Sequence, residues 1–252
     1  MAEGEDSMAS GSGDDFFKML EFGFKGCALV VGLIVLPFVI AAHKERCKKQ
    51  TDAMSAKARE LGFEFSAFAN SKLARMVRHL DSLDVNNGKN RYALNVVEGN
   101  VDGHPVAVFD YHYATTGEWW WPPSWKIHNY LSIILVDLGR DFPELIIGPE
   151  GGGLFRKIAE AFGGGDIDFE SYEFSEQFDV RSKDKKFAYD FCNAQMIEYL
   201  LDQRGISLEV DKSSLAMGYE NMHDVSRIRP RLASLVEIRA RMPDYLFADA
   251  NV

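Results

Sequence analysis

The stretch NVVEGNVDGHPVAVFDYHY, Asn95 to Tyr113, decides the architecture. Its last eight residues alternate with period two, the pattern of a half-buried strand. Asn100 and Asp102-Gly103 are turn residues that accept positive φ. The segment therefore reads as a hairpin, with strands over Tyr92–Glu98 and Val101–Tyr113. Asp110 and His112 share one face of the second strand.

Outward from the hairpin, YLSIILVDL (Tyr130–Leu138) reads as a strongly apolar strand. Glu144–Ile147 and Asp166–Glu170 read as short strands. ISLEV and LAMGY alternate around DKSS and predict a second hairpin over Ile206–Tyr219. Helical spacing marks Ser66–Leu83, a short helix LFRKIAEAF after GPEGGG, and Phe187–Gln203. A last helix starts near Arg229, with Pro230 in its first turn, and closes before Pro243. Strand pairs on short turns, mixed with separate helices, predict an α+β fold with a mostly antiparallel sheet packed with helices.

The N-terminal quarter has a different character. GCALVVGLIVLPFVIAA, Gly26 to Ala42, carries no charge. As a helix it covers about 25 Å, a little under the roughly 30 Å of a bilayer core. Phe22 and Phe24 extend the apolar surface. A secretion signal needs a basic start and a small-residue cleavage site. The leader MAEGEDSMASGSGDDFF is acidic instead. A single transmembrane helix over residues 22–43 is the expectation. Lys44, Arg46, Lys48 and Lys49 crowd its C-terminal flank, and cationic flanks stay cytoplasmic. This predicts an inner-membrane protein, single-pass, with its N-terminus outside and the C-terminal domain in the cytoplasm. The expected plan is a disordered acidic leader (1–21), the membrane helix (22–43), a basic stalk (44–61) and an α+β domain (62–252).

The chain has 252 residues and a net charge of −10, which argues against nucleic-acid partners. Its three cysteines are too scattered for a disulfide framework. Cys27 and Cys192 read as buried apolar groups, Cys47 as a free thiol.

The segments Asn95–Tyr113, LIIGPEGG and DIDFESYEFSEQFDVRS resemble a family of uncharacterised bacterial membrane-anchored proteins. These combine an N-terminal transmembrane segment with a soluble α+β domain. The resemblance spans Leu61 to Phe247 and implies architecture only, since the family has no assigned activity. The WWW of the loop departs from the family pattern, in which that loop is more polar.

The loop WWWPPSW offers Trp119, Trp120, Trp121 and Trp125, which cannot all point inward. Trp suits the water–lipid interface, so this loop is a candidate contact with lipid or a membrane partner. Arg227, Arg229 and Arg231 make the end of an acidic chain basic and are candidates for anionic lipid or a protein. The competing explanation is a solvated helix face paired with local acids. Asp110 and His112, with His104 and His128 nearby in sequence, and the carboxylates Asp166, Asp168 and Glu170 are the alternative, enzymatic or metal-binding, candidates. No nucleophile–base pair and no metal-ligand spacing appears, so no catalytic residue, metal or cofactor is assigned. The expected function is a membrane-surface binding module, with the lipid bilayer and a protein or anionic-lipid partner.

Overall fold

The structure, a computed structural model, describes residues 11–68, 70–80, 88–116, 126–150, 167–203 and 205–248, with side chains from Val35 on. The Trp-rich loop, the GPEGGG helix from Gly151 on, Asp166 and the first ten residues lie outside the described residues. The chain divides into two units, Met1–Gln50 and Thr51–Val252.

The first unit is helical. Helix α1 runs Gly11–Leu61, with Pro37 inside it, and ends in the second unit. It begins within the segment 1–21 expected to be disordered. Val35, Leu36, Phe38, Val39 and Ile40 are all exposed on it. Lys44, Arg46, Lys48 and Lys49 are exposed as well, and Lys49 pairs with Glu45 at 3.5 Å. Among the described residues no helix is long and apolar enough to cross a membrane. Side chains are described from Val35 on, which leaves Gly26–Ile34 of the apolar run outside that statement.

The second unit is built on a six-stranded antiparallel sheet. Its strands are β1 (Glu64–Ser66), β2 (Lys89–Val101), β3 (His104–Thr116), β4 (Lys126–Pro149), β5 (Phe178–Ser182) and β6 (Leu208–Glu220). The β2–β3 hairpin forms as the turn chemistry dictates. Asp102 and Gly103 take φ of +51° and +87°, and Val101 pairs with His104. This is the doubly positive turn that matches strand twist.

Strand β4 is the axis of the sheet. One edge pairs with β3 over Lys126–Val136 and then with β5 over Leu145–Pro149. The other edge carries β6 along nearly its whole length. The two strands expected at Tyr130–Leu138 and Glu144–Ile147 are thus one strand. The hairpin expected around DKSS is likewise a single strand, β6. The polar DKSS tetrad marks an irregularity instead of a turn. Lys212 sits at φ +50°, opposite Phe142, where the register of β4 also shifts. Facing bulges let both strands bend together without breaking the ladder.

Both faces of the sheet are covered. On one face Val106, Val108, Ile134 and Val136 meet four short or medium helices: α3 (Tyr172–Gln177), α4 (Lys185–Phe191), α5 (Ala194–Asp202) and α6 (Ile228–Arg241). On the other, Ala107, Phe109, Tyr111 and Ile133 meet α2 (Ser71–Met76) and the 3₁₀ turn after it. Consequently β3 is buried without interruption from Val106 to Ala114. The alternation that suggests a solvated face hides a strand whose polar residues lie inside.

Three further expectations change. The helix over Ser66–Leu83 is shorter, α2 plus a 3₁₀ turn to His79. The helix over Phe187–Gln203 is two helices, because Asn193 leaves helical geometry (ψ 168°) and caps Met196 N–H. An Asn side chain competes with the helix for its own backbone, which is why it favours caps. Its amide also donates to the Arg241 carbonyl at 3.0 Å. Cys192, just before it, is buried as expected, and burial pushes its thiol well up. Finally, Thr51–Leu61 is helical but is no free stalk. Met54 and Ala58 are fully buried in the main core, so the compact unit starts at Thr51 and not at Gly62.

Candidate functional site

Asp110 lies at the centre of β3 with no exposed surface. One carboxylate oxygen accepts from Asn95 Nδ2 at 2.9 Å, the other from His223 N–H at 2.8 Å. Asn95 stands at φ +52° in a bulge of β2, and its Oδ1 accepts the Thr51 hydroxyl at 2.8 Å. On the other side, Asn221 (φ +69°) turns the chain back after β6, and its carbonyl accepts from Ser132 Oγ. His223 is thereby carried under the sheet. Its Nε2 donates to the carbonyls of Phe109 and Ile133 at 3.1 and 3.2 Å. Burial pushes the His223 imidazole below its ordinary value, against the pull of the Asp110 carboxylate. The chain Thr51–Asn95–Asp110–His223 is an internal polar brace. Sequence reasoning missed both Asn95 and His223; a buried Asp needs donors, and that requirement was the available signal.

His112, two residues on, joins a different group. Its Nε2 meets His128 Nδ1 at 2.8 Å, and its Nδ1 meets the Asn90 carbonyl at 3.0 Å. Tyr92 stacks on its ring at 4.4 Å, and Tyr130 approaches edge-on at 5.2 Å. Register explains this row. Tyr92, His112 and Tyr130 are direct cross-strand neighbours, and His128 is one pair further along on the same face. His112 is buried and His128 exposed. Asp110 and His112 share a face, yet hydrogen-bond in separate clusters. Among the described residues no group of three or more His, Cys, Asp or Glu could hold a metal ion.

The arginines follow β6 directly, in the 3₁₀ turn Val225–Arg227 and the first turns of α6. Arg227 pairs with Asp224 at 3.5 Å, and Arg229 with Glu60 at 3.2 Å. The Arg231 guanidinium lies over the Tyr219 ring, 3.5 Å from its centre. Burial lowers the Arg231 pKa and raises that of the Tyr219 hydroxyl. Arg227 and Arg231 also line an open cleft of about 1120 Å³, which Glu173, Glu198 and Asp202 line as well. The cleft is therefore of mixed charge. Neither His112 nor His128 lines it.

Asp168 and Glu170 are exposed, and Ile167 is buried against β5 through its N–H to the Val180 carbonyl. The alternation expected there holds, but residues 167–170 form no strand. No family model matches the chain, and no curated protein does. Among solved structures, the crystal structure of the mycobacterial trehalose monomycolate transport factor A, TtfA, is similar to this chain with a TM-score of 0.48 and 12% identity. The match covers 78% of this chain and 94% of that one.

Proposed function

We propose that this protein is a single-pass, membrane-anchored binding module whose α+β domain faces the cytoplasm and docks a partner protein. The observation that carries it is the apolar helix. Five large apolar side chains stand exposed in a row on α1, next to four exposed cations. Uncovered apolar surface of this extent on a helix calls for lipid or protein around it. The uncharged run Gly26–Ala42 is long enough to serve, and the cationic collar sets its direction. The resemblance to uncharacterised membrane-anchored bacterial proteins agrees with this arrangement.

The domain's docking surface is the cleft lined by Arg227, Arg231, Glu173, Glu198 and Asp202. Its arginines already engage Asp224 and Tyr219, and three acids share the lining. A protein segment of complementary mixed charge suits it better than a uniformly anionic lipid surface. The Trp-rich loop, Trp119–Trp121 and Trp125, supplies a second contact at the membrane. A photoreactive residue at Ser234, on the cleft wall, is expected to crosslink one discrete partner in intact cells. The same residue at the exposed Lys212 is not. Equal labelling from both positions contradicts the cleft as the docking surface.

A further inference from the structure

We propose that His112 and His128 form a two-histidine site for a borderline divalent transition-metal cation such as Zn²⁺. Three features of the fold point there. First, a backbone carbonyl can only accept, so the 3.0 Å contact with Asn90 makes His112 Nδ1 the protonated nitrogen. The lone pair of Nε2 is then aimed at His128 Nδ1, 2.8 Å away. A histidine whose other nitrogen is held by a carbonyl has the arrangement of a metal ligand.

Second, the holding group is built for the purpose. Asn90 is a non-glycine residue at φ +53°, in a stretch where the β2–β3 register shifts between Lys89 and Tyr92. Bulges and strained backbone of this kind re-aim groups toward functional sites. Stacking on Tyr92 and the edge of Tyr130 fix the plane of the His112 ring.

Third, the pair opens to solvent on one side, since His128 is exposed while His112 is buried. An ion can reach the site without unfolding it. A Zn–N bond of about 2.0–2.1 Å in tetrahedral geometry separates two ligand nitrogens by about 3.3 Å. That is about half an ångström more than the present spacing, and rotation of the exposed His128 side chain supplies it.

Binding replaces the hydrogen bond between the rings. The proton on His128 Nδ1 passes through solvent to Nε2 of the same ring, and its Nδ1 lone pair takes the metal. Both rings stay neutral, and no net proton is released. The described residues offer no third ligand, so water or an external ligand fills the remaining positions. Imidazole pairs favour Zn²⁺, Cu²⁺ and Ni²⁺ over Mg²⁺ or Ca²⁺.

The test uses the full chain in detergent carrying His43→Ala and Cys47→Ser, because those residues form their own contact at 3.6 Å on α1. Calorimetric titration with Zn²⁺ is expected to show one bound equivalent. His128→Ala, an exposed change that leaves the core intact, is expected to weaken binding at least tenfold. His104→Ala is expected to leave it unchanged. Copper loaded into the same protein should show an electron paramagnetic spectrum with two coupled nitrogens, reduced to one in His128→Ala. A parent chain that binds no Zn²⁺, or a His128→Ala variant that binds it as tightly, overturns the proposal.

Discussion

The internal brace makes a sharp prediction at Asp110. Its carboxylate has no exposed surface and serves two donors, Asn95 Nδ2 and the His223 N–H. Asp110→Ala strands both donors inside the sheet. Each buried group left unsatisfied costs about 1–3 kcal/mol, so with two stranded donors the variant should lose about 2–6 kcal/mol. That is a large share of a typical domain's roughly 5–15 kcal/mol. Asp110→Asn should behave differently. One oxygen remains for the His223 N–H, and the introduced NH₂ faces Asn95. The Asn95 amide can flip so that its oxygen accepts from that NH₂, while its nitrogen turns to Thr51. The Thr51 hydroxyl, now a donor to Asn95 Oδ1, can serve as acceptor instead. Only the charge assistance is lost, about 1–2 kcal/mol. The assay is urea unfolding of the Thr51–Val252 unit, read as the shift in midpoint at constant slope. Equal losses in the two variants, or losses below about 1 kcal/mol in both, would mean that Asp110 does not brace the sheet.

Other consequences follow from single contacts. His223 has a lowered pKa in the folded state, so the unfolded chain binds protons more readily and acid costs stability. Urea midpoints should fall as pH drops below about 6.5, with a slope of up to about 1.4 kcal/mol per pH unit, and His223→Gln should flatten this slope. Met54→Ala, a change in the fully buried part of α1, should cost about 2–5 kcal/mol; a free stalk would show no loss. Gly99→Ala should cost about 1–3 kcal/mol, because its Cβ would run into the Phe63 ring. Arg231→Ala should remove about 1 kcal/mol through the lost stacking on Tyr219, seen in the same unfolding assay.

What the sequence makes legible is what local chemistry decides. The Asp102-Gly103 turn and the helix from Ile228 to Arg241 follow from turn residues and apolar spacing, and both form. Where tertiary pairing decides, local signals mislead. DKSS has turn composition, yet Lys212 faces a bulge in β4 that lies far off in sequence. Asn193 looks like one polar residue in a helix, and its capping bond cuts that helix in two. The site is harder still to read. His112 and His128 meet only because β3 and β4 pair in one register. Asp110 and His223 are 113 residues apart, joined by a turn at Asn221 that composition does not distinguish. The arginines could be named from sequence, but not their partners Glu60 and Tyr219.

Membrane anchoring is the premise of the proposed function, and one measurement addresses it. Sealed membrane vesicles of known orientation, carrying the full chain, are washed with alkaline carbonate and then treated with protease from either side. An anchored chain stays in the washed membrane, and only protease on the cytoplasmic side removes the domain beginning at Thr51. Release of the intact chain by the wash, or digestion of that domain from the opposite side, rules this arrangement out.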